Sequence, residues 1–369
     1  MARRVFLHVG VPKSGTTYLQ TAMWHNRKAL VAQGFLYPGA RRMEHFHASQ
    51  DIRSRPEVST GAWERLRSEA GSWSGNALIS HEFFSMAGAN RARAAVRQLE
   101  PAEVHVVLTA RDYVRQFPAV WQEALKMTSE LSLDEFMQKA FAGGLRGAWS
   151  WRSQDVPAIL ARWAKAVPPE RLHVITVPPR SAPKELLWQR WCQVLEIDDT
   201  GFNLERSFSN ESLGAPQAAL LWRIKPFFSG PLKGKAVQHR WVRQYLAHEL
   251  LGPQRGPRFG LRPADAAELR RRSLEAVAAI RAAGYEVAGD LAELVPDEEQ
   301  PARPHPDDVT ESEMLDVAAR AIDQMVQDVR RLTTERDHWE SVARQARTER
   351  SPGRALVRAA RSLRKRAGA

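Results

Sequence analysis

Residues 4–19 read Arg4-Val5-Phe6-Leu7-His8-Val9-Gly10-Val11-Pro12-Lys13-Ser14-Gly15-Thr16-Thr17-Tyr18-Leu19. Residues 4–9 form a short, mostly apolar run that closes on a Gly/Pro/Ser loop, which predicts a buried strand. From Thr16 to about Gln33 the apolar positions Leu19, Met23, Leu30 and Val31 predict a helix. Strand, loop and helix in this order aim free backbone N–H groups and a helix N-terminus at one point, a geometry that binds a phosphate oxyanion. Gly15 lets the backbone approach closely, Thr16 and Thr17 add hydroxyl donors, and Lys13 adds positive charge.

Working outward, residues 76–80, 104–109 and 172–177 repeat the short apolar pattern, and Asp112 to Lys126 reads as a helix. Strands separated by helical stretches predict a doubly wound parallel sheet. Beyond residue 180 the pattern turns helical, over 184–196, 215–228, 238–250 and 263–283. Residues 296–308 hold four prolines and read as an acidic, Pro-rich linker after a domain spanning 1–295. Past it, Leu315, Ala318, Ile322, Met325, Val329, Leu332, Arg336, Trp339, Ala343 and Ala346 alternate spacings of three and four. That heptad seam predicts one long helix over 309–348, either a coiled coil that joins copies of the chain or a helix folded back on its own domain.

Composition narrows the class. The chain has 369 residues, 43% apolar and 8% aromatic, enough to bury a core. The formal charge of +12 is unevenly spread: residues 350–369 hold seven arginines and lysines and no acid. The remaining small positive excess suits an enzyme of multiply anionic ligands rather than a nucleic-acid binder. The basic tail, 349–369, reads either as contact with an anionic membrane surface or as a solvated tail. Cys192, the only cysteine, falls in an apolar helical pattern and reads as a buried thiol. No export signal or membrane-length apolar run is present, so the expected location is cytoplasmic.

The loop's spacing separates it from a Walker A sequence, in which lysine directly follows the second glycine. Here that position is Thr16, and the lysine stands in mid-loop. Pro12-Lys13-Ser14-Gly15-Thr16-Thr17 after the first strand resembles the 5′-phosphosulfate loop of sulfotransferases that use 3′-phosphoadenosine 5′-phosphosulfate (PAPS). The layout over about residues 4–295 is similar to bacterial members of that family. The resemblance implies a three-layer α/β fold with a central parallel sheet, of the P-loop-NTPase-like sulfotransferase kind, with the long helix appended at the C-terminal end. It implies PAPS as donor, PAP (3′-phosphoadenosine 5′-phosphate) as product and no metal, with Pro12 to Thr17 holding the phosphosulfate and Lys13 stabilising charge on the leaving oxygen.

The resemblance further implies that Arg111, at the end of the third predicted strand, grips the 3′-phosphate. Where the family carries a serine eight residues later, this chain has Ala119, so that contact has to be rebuilt from Arg115, Gln116 or the C-terminal half. The family's late glycine-rich loop has two partial matches, Leu232-Lys233-Gly234-Lys235 and Arg258-Phe259-Gly260.

A general base is needed beside the incoming hydroxyl or amine. Ser80-His81-Glu82 ends the second predicted strand, with His81 as the expected base and Glu82 as its orienting partner or the base itself. The acceptor could be a small molecule, a carbohydrate or a lipid. Two other classes stand beside this one: a kinase-like phosphoryl-transfer enzyme, and a non-catalytic scaffold acting through its coiled coil and basic tail.

Overall fold

A computed structural model of the chain describes residues 2–54, 58–205 and 212–349. Six parallel strands form its sheet: β1 (Arg4–Gly10), β2 (Phe35–Leu36), β3 (Asn76–Ser80), β4 (Glu103–Ala110), β5 (Leu172–Thr176) and β6 (Glu286–Ala288), in the order β2-β3-β1-β4-β5-β6. The three central strands are mostly apolar because both faces are covered. Val5, Leu7, Val9, Val106 and Leu108 enter one buried cluster with Trp63, Phe117, Trp121 and Trp163. Phe6, Leu78, Val107 and Ile175 enter the other, with Leu19, Met23, Trp188 and Trp191. The alternation produces three layers, helix–sheet–helix, as expected from the sequence.

The four predicted strands are present. β2 and β6, of two and three residues, were not predicted, being too short to show a period. The single helix expected from Thr16 to Gln33 is two, Thr16–His25 and Arg27–Ala32. Asn26 makes the break: its amide donates to the carbonyls of Ala22 (2.8 Å) and Asn203 (2.9 Å) and accepts from Asn203 N–H. A side chain that bonds local backbone in this way competes with helix continuation. The segment expected as 238–250 is a wide π-type helix, Gln238–Leu251. Cys192 is buried.

Two C-terminal expectations change. Residues 296–308 do not form a free linker but lie against the domain, with Arg270 donating to Pro296 O and Gly260 N–H to Pro304 O. The long helix, Glu311–Glu349, docks on helix Ala215–Ile224 and on Gln238–Leu251. It does so through Val317 and Ala321, both buried, with Asp328 accepting from Tyr245 Oη at 3.0 Å. That face is not the heptad seam. Leu315, Ile322, Val329, Leu332 and Trp339 are all more than half exposed. The tail beyond residue 349 lies outside the described residues. Among those described, no helix is long and apolar enough to cross a membrane.

Because the docking face and the seam differ, the seam is the surface on which self-association would rest. Light scattering on the full-length protein is expected to give a mass above one chain, returning to one chain when Ile322 and Val329 are both changed to Glu. A single-chain mass for the unaltered protein contradicts this.

Candidate active site

β1 ends at Gly10, where φ is 97°, and a Cβ there would fall 2.6 Å from Glu82 Cα. Only glycine lets the base-bearing turn press this closely on the loop. The chain then turns through Lys13 (φ 69°) and Gly15 (φ 83°), both left-handed, into helix Thr16–His25. A lysine with positive φ is a strained conformation of the kind found at ligand loops. Gly15 is the helix's N-cap residue and brings no side-chain acceptor, so no side-chain cap takes the N–H groups of the helix start.

Beneath the loop runs a buried chain of hydrogen bonds. Ser14 Oγ donates to Val11 O at 2.6 Å and lies 2.6 Å from Thr109 Oγ1. Thr109 Oγ1 is 3.3 Å from His8 Nε2, and His8 Nδ1 is 2.7 Å from Ser80 Oγ. Since the Ser14 proton goes to Val11, Thr109 donates to Ser14, His8 Nε2–H to Thr109, and Ser80 to His8 Nδ1. Burial drives the His8 pKa down to about 3, consistent with this neutral ring. Ser14 is therefore turned into the sheet, its hydroxyl bound to Val11 and Thr109. Thr16 is buried, while Thr17 is exposed at the mouth. Pro12 is buried, its carbonyl accepting from Gln116.

Lys13 Nζ lies 3.3 Å from Glu123 Oε2, and the other Glu123 oxygen accepts from Arg243 Nε at 2.5 Å. Burial pushes the Glu123 carboxyl up, but Lys13 and Arg243 outweigh it and hold the pKa at about 2. One turn along helix Tyr113–Lys126, on the same side as Glu123, Lys126 is buried. No hydrogen bond or ion pair reaches its ammonium among the described residues. Burial, reinforced by repulsion from Lys13 and Arg243, brings its pKa down to about 8 although Glu123 opposes the shift. Three cations thus surround one carboxylate. Sequence reasoning missed Glu123, Lys126 and Arg243, because they meet Lys13 across more than a hundred residues of chain.

Arg111 donates to Lys13 O at 3.2 Å, bracing the loop; it is largely buried, and its Nε has no partner among the described residues. Burial lowers its pKa to about 10, leaving it charged at neutral pH. A cavity of about 1440 Å³ opens beside it, lined also by Ala119, Arg180, Arg258, Phe259 and Arg303. Of the residues proposed to rebuild the serine contact, Arg115 is committed to Asp112 and the carbonyls of Val177 and Pro178. Gln116 is committed to Gln154 and Pro12. Arg258-Phe259-Gly260 does reach this cavity, whereas Leu232 to Lys235 do not line it.

β3 ends at Ser80, and His81 caps the short turn Glu82–Met86 rather than extending the strand. His81 Nδ1 accepts from Phe83 N–H at 3.1 Å, and its ring packs on Phe46 and Phe83. Burial lowers its pKa. A neutral ring whose Nδ1 lone pair is already engaged carries its proton on Nε2 and offers no free acceptor. Glu82 differs. Burial raises its pKa, but His81, a backbone N–H and Gln20 together bring it below the ordinary carboxylate value. Gln20, from the loop's own helix, donates to Glu82 Oε2 at 3.0 Å. Neither residue lines the large cavity.

Asp134, His305 and Asp307 bring potential metal ligands within 4.8 Å of one another. Their groups are already engaged: Asp307 accepts from the N–H of Leu133 and Asp134, Arg262 pairs with Asp134, and His305 lies 3.3 Å from Asp134. These contacts pin residues 304–308 to the start of helix Leu133–Phe141.

No protein-family model matches the chain, and no curated protein matches it. Among solved structures, a sulfotransferase from Alicyclobacillus acidocaldarius is similar at 14% identity, over 78% of this chain and 97% of its own, with a TM-score of 0.45. At that similarity, function has to be read from the residues of this chain.

The unpartnered Lys126 charge predicts a measurable strain. Below pH 8 its charged form opposes folding, by on the order of 1–3 kcal/mol for a shift of this size. As pH rises from about 8 to about 10.5 the unfolded chain gives up the same proton and the penalty fades. Lys126→Met should raise the melting temperature at pH 7, by a margin that shrinks toward pH 10.5. Equal or lower stability of the variant at pH 7 contradicts the assignment.

Proposed function

We propose that this chain is a sulfotransferase that moves a sulfuryl group from PAPS to a hydroxyl or amine of a small molecule, carbohydrate or lipid. The observation that carries the proposal is the loop itself. A helix start without a side-chain cap follows a mid-loop lysine, and the strand-end Arg111 donates to that lysine's carbonyl. Backbone N–H groups of residues 13–17 and the Thr17 hydroxyl suit the 5′-phosphosulfate, and Arg111 with Arg258 suits the 3′-phosphate.

In the reaction the acceptor O–H or N–H gives its proton to Glu82. The freed lone pair bonds to sulfur as the bond from sulfur to the bridging oxygen breaks. PAP leaves with the bridging-bond electrons, and Lys13, drawn off Glu123, stabilises the charge on that oxygen. Glu82 replaces His81 as base because its pKa is held below the ordinary carboxylate value, so it is ionised; His81 then shapes the turn. A phosphoryl-transfer reading is disfavoured by Thr16 in the Walker lysine position. It also needs a strand-end carboxylate for magnesium, and Asp112 is occupied as the cap of helix Tyr113–Lys126 and as the partner of Arg115.

Radiolabelled PAPS, a cell extract and the purified protein should together yield a labelled acceptor. Lys13→Ala is expected to lower that transfer by roughly 10²-fold or more, the scale of losing one preorganised charge stabiliser. Glu82→Gln should abolish most of it, while His81→Gln keeps a substantial part. Loss in His81→Gln with retention in Glu82→Gln returns the base role to His81.

A further inference from the structure

Residues 296–308 reach the domain at three points. Arg270 holds Pro296 O at 3.2 Å, Gly260 N–H holds Pro304 O at 3.1 Å, and Asp307 and Asp308 bind helix Leu133–Phe141 and Arg262. At the middle point the backbones are close. A Cβ on Gly260 would lie 3.1 Å from Arg303 Cβ, so Arg303 packs on the Arg258-Phe259-Gly260 turn. Together these anchors fix Arg303 on the wall of the cavity that also holds Arg111, Arg180 and Arg258.

The charges there are unbalanced. Among the described residues, no hydrogen bond or ion pair reaches the guanidinium of Arg180, Arg258 or Arg303. Of the carboxylates that line the cavity, Asp112 is engaged by Arg115, Glu293 by Arg190 and Asp308 by Arg262, while Asp297, Glu298 and Glu313 are exposed. Burial lowers the Arg180 pKa, and repulsion from Arg258, Arg303 and Arg115 lowers it further. Like charges gathered in one concave site, without a carboxylate paired to them, are the surroundings a multiply charged anion requires.

We propose that the Pro-rich segment is a wall of the nucleotide site, and that Arg303 on it, together with Arg180, binds the phosphate on the donor's ribose in place of the hydroxyl missing at Ala119. This rests on the sulfuryl-donor reading above. It assigns a specificity role to a segment that follows the last strand, and to two arginines that no motif marks. The segment's stiffness serves this use: four prolines and anchored ends hold Arg303 at the site before ligand arrives, so less freedom is lost on binding.

The test compares PAP with 5′-AMP, which lacks only that phosphate, by calorimetric titration of the full-length chain and of Arg303→Ala, Arg180→Ala and Arg303→Lys. The unaltered chain should bind PAP much more tightly than 5′-AMP. Each alanine variant should lose about 10- to 100-fold in PAP affinity, the scale of a charge-assisted hydrogen bond, while 5′-AMP affinity and melting temperature stay unchanged. Arg303→Lys should recover part of the loss. Unchanged PAP affinity in both alanine variants, with the preference over 5′-AMP intact, overturns this assignment alone. An unaltered chain that binds PAP no better than 5′-AMP overturns the sulfuryl-donor reading and this proposal with it.

Discussion

The directed chain of hydrogen bonds from Ser80 through His8, Thr109 and Ser14 to Val11 O is the constraint on which the site depends. It crosses three adjacent strands at the level where they end and ties the loop after β1 to β4 and to the turn after β3. Each link has only one proton and one direction, so the His8 tautomer is fixed by its neighbours rather than by solvent. Such a chain adds about 1 kcal/mol per bond in net stability, but leaving one buried member unpaired costs about 1–3 kcal/mol. The loop is thereby held in its left-handed turns before any ligand is present. Preorganisation of this kind is what electrostatic stabilisation of a transferring group requires.

Above this strut the chain carries more positive charge than it neutralises. Lys13, Lys126 and Arg243 share Glu123, and Arg111, Arg180, Arg258 and Arg303 line a cavity whose acids Asp112, Glu293 and Asp308 are paired with other arginines. Burying or crowding like charges works against folding. Two such concentrations of positive charge suit the multiply anionic donor proposed above. Glu123 has a particular place in this picture: in the unliganded chain it holds Lys13 in the site, and an incoming anion competes with it for the same ammonium.

Much of this was legible in the sequence because it is local. The apolar runs ending in Gly10, Ser80 and Ala110 gave the central strands, and the glycine and lysine spacing distinguished the loop from a Walker motif. What was not legible depends on distance or on length. β2 and β6 are too short for a period, and Asn26 breaks a helix through a partner near residue 203. The partners of the Ser14 hydroxyl, Val11 O and Thr109 Oγ1, could not be read from the sequence because Thr109 lies on another strand. His81 looks like a base until Phe83 N–H is seen on its Nδ1. The prolines at 296–306 have the composition of a linker, and only the carbonyl of Pro304 on Gly260 and the carboxylate of Asp307 on helix Leu133–Phe141 show that the segment is docked. The heptad seam was correctly read as a stripe, but the helix docks through Val317 and Ala321 instead, on a face too short to show as a pattern.

The central claim, that the loop with its displaced lysine serves a sulfuryl donor and not a nucleoside triphosphate, is most directly tested by calorimetric titration of the full-length protein with PAP, ADP and ATP in the presence and absence of magnesium. The account predicts that PAP binds most tightly and that its affinity does not depend on magnesium. Tighter binding of magnesium–ATP than of PAP would contradict it.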